Sequence, residues 1–127
     1  MIEVRFEKKP GVSAAWVRRV VASTLKAEKS SMPMSVLITD DRRIRAINKR
    51  YLKHDYATDV VSFDTGDIVV SVDTARRFAK ELGIPAREEL ARYLVHGTLH
   101  LLGYDDKNKK DHALMHGRQE KLLKKIL

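Results

Sequence analysis

The chain of 127 residues is long enough for one domain with its own core, and 43% hydrophobic with 33% charged residues excludes a disordered or fibrous chain. No run approaches the roughly 18–20 apolar residues of a membrane helix, and the absence of cysteine excludes disulfides, thiol catalysis and cysteine-ligated zinc, leaving imidazole and carboxylate as metal donors. A net charge of +8, from 25 Lys and Arg against 17 Asp and Glu, suits a polyanionic partner such as nucleic acid.

Residues 2–7 alternate Ile2, Val4 and Phe6 with Glu3, Arg5 and Glu7, the period of a half-buried strand. The opening MIEVRFEKK lacks the apolar core of a signal peptide, so a soluble, cytoplasmic protein is expected. Ser13 is placed to cap a helix with Trp16, Val17, Val20, Val21, Thr24 and Leu25 on one side. Residues 35–39 form a second strand, after which Thr39 or Asp40 caps a helix with Ile44, Ile47 and Tyr51 inward. That helix also carries Arg42, Arg43, Arg45, Lys49, Arg50 and Lys53, candidates for phosphate contacts; a second basic concentration runs from Lys107 to Lys125. Segments 59–63 and 68–71 read as two short strands with a tight connection at Gly66.

From Ser71 a helix is expected with Ala75, Phe78, Ala79 and Leu82 inward, stopped by Gly83. Pro85 suits the first turn of the next helix, which reaches about Leu102. A last helix from about Lys110 to Leu127 buries Leu114, Met115, Leu122, Leu123 and Ile126. The expected fold is α+β, one domain over 1–127, with a small mixed sheet of about four strands and about five helices.

Residues 96–106 read HGTLHLLGYDD. His96 and His100, four apart in an apolar helix, lie on one face one turn apart, where both reach a single ion. Gly103 lets the chain reverse, and Asp106 returns as the third ligand; His112 is the alternative if Asp106 points away. The pattern is close to the zinc helix of some metalloproteases, but Gly97 stands where their glutamate base belongs, which argues against a peptidase. His112 and His116 are also four apart, in a polar stretch that suits surface histidines, and His54 sits in a predicted loop.

HGTLHLLGYDD at 96–106, INKRYLKHDYATDVVSF at 47–63 and GDIVVS at 66–71 together resemble the YbeY family of bacterial endoribonucleases, over roughly residues 40–116. The resemblance implies a zinc-dependent, single-strand-specific endoribonuclease. Its expected roles are ribosomal RNA processing, notably at the 3′ end of the small-subunit RNA, and ribosome quality control. The small ribosomal subunit and assembly factors are implied as partners. The family holds its metal by H-x3-H-x5-H: His96 and His100 match, while the third position is Asp106. The family also often carries an activity-linked arginine where this chain has Leu52.

A carboxylate in place of the third imidazole makes the site one unit less positive, weakening its Lewis-acid pull and favouring harder ions such as manganese or iron modestly. Zinc with a fourth position open to water is the expected centre. Asp67 and Asp59 are the carboxylates expected to support it. The competing expectation is a ribosome-assembly or RNA-binding factor whose metal mainly supports the fold.

Overall fold

The computed structural model describes residues 1–53 and 55–127; His54, expected in a loop, lies outside the described residues. The order is β1 (Ile2–Phe6), α1 (Ala14–Ala27), β2 (Met34–Thr39), α2 (Asp41–Ile47), a π-helical turn (Asn48–Leu52), β3 (Val60–Phe63), β4 (Asp67–Ser71), α3 (Val72–Leu82), α4 (Ala86–Leu101) and α5 (Lys109–Ile126). The expected α+β class with a mixed sheet is what forms. The sheet order is β1-β2-β4-β3, with β1, β2 and β4 parallel and β3 antiparallel to β4.

Strand alternation divides the sheet into two unequal faces. Val36 and Ile38 of β2, with Ile68 and Val70 of β4, turn toward α1 and α4, forming the main core with Val17, Val21, Leu90 and Leu94. The opposite face carries Val61 and Val69, which pack only against Ile44 and Ile47 of α2 and a few half-buried neighbours. The half of that face beyond α2 remains open as a groove of about 1090 Å³. No helix among the described residues is long and apolar enough to cross a membrane.

Local capping follows the side chains. The Ser13 hydroxyl accepts the Trp16 N–H at 3.0 Å, and the Asp40 carboxylate, rather than Thr39, accepts the Arg43 N–H at 2.8 Å. Asp41 ties α2 to α3: its carboxylate accepts from the Ser71 and Thr74 hydroxyls at 2.6 and 2.7 Å and pairs with Arg77 at 2.7 Å.

Four apolar residues expected inside prove exposed. Tyr51 is 60% exposed because α2 widens after Ile47 into a π-helical turn, whose closing bond runs from the Lys53 N–H to the Asn48 carbonyl. The extra residue in that turn breaks the spacing that would have continued the Ile44–Ile47 face. Phe78 is exposed because α3 buries its Ala75–Ala79 line and Phe78 stands about 100° round the helix from Ala79, whereas Leu82, on the same side as Ala75, is exposed as the last residue of the helix. On α5, Leu114 is exposed while its neighbour Met115 is buried with Gln119, Leu122 and Leu123.

Candidate metal centre

α4 is the central helix, packed by α1, α3 and α5 and lying across β3 and β4. Its approach to the sheet requires Gly97: a Cβ there would meet the Val60 and Ile68 Cγ2 atoms at 3.0 and 3.1 Å. Packing thus explains the residue that replaces a protease's glutamate. The Ser62 hydroxyl also donates to the Gly97 carbonyl at 3.2 Å, fixing β3 against the helix.

His96 and His100 leave this helix on one half-buried face, their rings edge to face with centroids 5.0 Å apart. α4 ends as the glycine pattern requires. Gly103 has φ +101°, its N–H reaches the His100 carbonyl, and the Tyr104 N–H reaches the Leu99 carbonyl, both at 3.1 Å. The Tyr104 hydroxyl donates to Glu28 at 3.1 Å and anchors the turn to the end of α1. The chain then returns with Asp106, whose carboxylate lies 3.7 Å from His100 Nε2.

One ligand atom from each of His96, His100 and Asp106 lies within 4.8 Å of the others, the one such group found among the described residues. Tetrahedral zinc with nitrogen and oxygen donors spaces its ligand atoms about 3.3–3.8 Å apart, so small side-chain rotations would close this set on an ion. The donors fit a borderline cation.

Gln119, buried on α5, was missed by sequence reasoning, and no local signal reveals it. His96 Nδ1 lies 2.8 Å from the Gln119 amide oxygen. The orientation of that amide is itself fixed, because its Nε2 donates to Glu120 at 3.0 Å, and Arg92 holds Glu120 at 2.9 Å. Since the amide oxygen only accepts, His96 carries its proton on Nδ1 and presents the Nε2 lone pair. This is the outer support that metal-binding histidines ordinarily have. The Arg92 guanidinium keeps the Glu120 carboxyl below its ordinary value, against the opposing effect of burial, so the anchor stays ionised.

The three side chains open onto a cleft of about 340 Å³, walled by Asn48, Leu52, Tyr56, Asp59 and Ser62 among others. The buried Asn48 donates to the Tyr56 carbonyl at 2.9 Å and holds Tyr56 at this wall. Of the two supporting carboxylates expected, Asp59 lines the cleft. Asp67 does not: with Val69 it points to the opposite sheet face, where it accepts from Thr65 at 2.5 Å and lines the open groove. His112 is exposed beside His116, in parallel rings 6.2 Å apart, and does not line the cleft. The six basic residues of the α2 region are all exposed, with Arg43 paired to Glu7 and Arg45 to Asp55.

Similarity to known proteins covers nearly the whole chain. The solution structure of TM1509 from Thermotoga maritima superposes with a TM-score of 0.72 at 23% identity, covering 99% of this chain and 89% of that one, a likeness of fold. An endoribonuclease YbeY of Myxococcus xanthus is 41% identical over 121 residues, 85% of this chain; the chain spans only 40% of that longer relative. The endoribonuclease YbeY of Flavobacterium psychrophilum is 37% identical over 130 residues, covering 96% of this chain and 91% of the relative. A family model described as endoribonuclease YbeY matches residues 4–127, a span that takes in the histidine helix, its returning aspartate and Gln119 alike. The chain belongs to the YbeY endoribonuclease family.

Proposed function

We propose that the protein is a zinc-dependent, single-strand-specific endoribonuclease acting in the cytoplasm on ribosomal RNA, at the 3′ end of the small-subunit RNA and in ribosome quality control. The small ribosomal subunit and its assembly factors are the proposed partners. The observation that carries this reading is the convergence of His96, His100 and Asp106 on one cleft edge, with the His96 tautomer fixed from behind by Gln119.

His96, His100 and Asp106 would hold the zinc, and three protein donors leave a corner facing the cleft, the arrangement of catalytic rather than structural sites. When bound, zinc supplies Lewis-acid polarisation of a phosphate oxygen and acidifies water at neutral pH. Gln119 keeps the His96 imidazole in the ligating tautomer. Asp59, held by the Val60 N–H at 2.7 Å, is the further carboxylate on the cleft wall and the candidate acceptor for the nucleophile's proton. The exposed cations around α2 would attract the RNA backbone.

A second reading, a ribosome-assembly or RNA-binding factor with a metal that supports the fold, draws on Leu52. This apolar residue, 40% exposed, stands on the cleft wall where the resemblance places an arginine linked to activity.

The test is cleavage of a single-stranded fragment from the 3′ region of small-subunit RNA, beside its duplex form, with and without chelator. Cleavage of the single strand alone, abolished by chelator and restored by zinc, is expected. RNA binding without cleavage at any zinc level would select the second reading.

A further inference from the structure

We propose that the Tyr51 ring is a stacking platform for an unpaired base of the RNA strand, in the groove that shares the π-helical turn with the cleft that would hold the scissile phosphate. This rests on the endoribonuclease reading and names how that site distinguishes a single strand. The π-helical turn carries the inference, because it sends neighbouring residues into different cavities. Asn48 and Leu52 line the metal cleft, whereas Tyr51 lines the open groove on the sheet face. The two cavities therefore share this turn of backbone as a common wall. π-Helical turns are rare and recur at functional sites.

Tyr51 is prepared for such a contact. The Arg50 guanidinium lies over its ring at 5.3 Å from the centroid, and Phe63 meets it edge to face at 5.9 Å. With both contacts in place, 60% of the residue still faces solvent. Arg43 stands at the same groove wall, about two helical turns before Tyr51. Aromatic faces with guanidinium groups beside them match an unpaired nucleotide, which offers a base to stack and a phosphate to neutralise. A duplex keeps its bases within the stack and offers only its backbone.

The groove also sets a limit to the strand's path. Registered residues Glu3, Ser35, Asp67 and Phe63 form one row across the sheet, with Asp64 beside its end, so three carboxylates line the row that ends at the ring partner of Tyr51. The neighbouring row of Arg5, Leu37 and Val69 borders the α2 side and is basic and apolar. A polyanionic strand would therefore reach the Tyr51 ring from the α2 side and not along the acidic row.

The experiment uses the zinc-loaded protein and a single-stranded 2′-O-methyl oligoribonucleotide bearing one 2-aminopurine, whose fluorescence falls when it stacks. Wild type is expected to quench the probe, and Tyr51→Ala to lose the quenching and bind roughly 5- to 150-fold more weakly, the range for one base–aromatic stack. Tyr51→Phe should restore both within about twofold, and the salt dependence of binding should stay unchanged in all three, because phosphate contacts are untouched. Tyr51→Ala binding and quenching like wild type, or Tyr51→Phe as weak as Tyr51→Ala, overturns the platform. If wild type cleaves single-stranded RNA but no probe position is quenched, the platform fails while the nuclease reading stands. If wild type neither binds nor cleaves RNA, both fail together.

Discussion

Gln119 on the last helix meets His96 on the central helix at 2.8 Å, and the pair is 23 residues apart in sequence. The Glu120 and Arg92 side chains behind it leave the amide only one orientation, so the contact specifies a tautomer rather than merely filling space. Removing it with Gln119→Leu should lower zinc affinity roughly 10- to 100-fold, as loss of such outer partners does. Gln119→Glu, which keeps the acceptor, should retain most of it. Competition with a chromophoric chelator measures both, and a Leu variant with wild-type affinity would refute the role.

Leu52 gives a test of catalytic strength. It stands on the cleft wall without a polar group, and a guanidinium there would approach a phosphate bound beside His96 and His100. Leu52→Arg is expected to raise kcat/KM on single-stranded RNA about tenfold or more, the effect of one added charge-assisted contact of roughly 1.5–3 kcal/mol. Zinc content should not change. Unchanged or lower activity with intact zinc would mean that the cleft wall does not contact the transferred phosphate.

Gly97→Ala pits two effects against each other. Alanine gains about 1 kcal/mol of helix propensity. Its methyl, however, would press on the β-branched Val60 and Ile68 side chains at 3.0 and 3.1 Å, and overpacking of this kind costs about 1–3 kcal/mol. The expected net is a loss of about 1 kcal/mol, read by urea denaturation, with weaker zinc binding as α4 lifts from β3. A gain in stability would show that the sheet yields freely.

Stability should fall in acid, and the sign follows from two carboxylates. The Arg92 hydrogen bond lowers the Glu120 carboxyl against the effect of burial, while at Asp41 burial raises the value but hydrogen bonds from Ser71, Arg77 and Thr74 outweigh it. Both bind protons less readily folded than unfolded, so their stabilisation is complete above the ordinary carboxylate range and is lost as pH falls through the lowered values. The melting temperature should hold above about pH 5 and decline below about pH 4. Asp41→Asn should melt lower at neutral pH and decline less steeply in acid; an equally steep decline would exclude Asp41 from the effect.

The parts of the site carried by neighbouring residues were legible in the sequence, and the parts carried across the fold were not. His96, His100, Gly103 and Asp106 follow from one helix and its terminal turn, where spacing determines direction. Gln119 joins them only because α5 packs on α4, and Asp59 and Asp67 could not be told apart until the pairing of β3 and β4 fixed which face each occupies. Tyr51 was assigned inward by extending a helical period through a turn that is no longer α-helical. Phe78 and Leu114 show the same limit from another side: apolar character does not choose a face when alanine or methionine on the adjacent line already makes the contact. Strand count and class were accessible from alternation, but the order β1-β2-β4-β3 depends on long-range pairing.

The most direct test of the account is metal content by plasma mass spectrometry, on the untagged protein and on Asp106→Ala purified alongside it. About one zinc per chain in the first and a near-complete loss in the second is the expected result. Zinc retained at full level by Asp106→Ala, or no metal in either protein, would contradict a centre built from His96, His100 and Asp106.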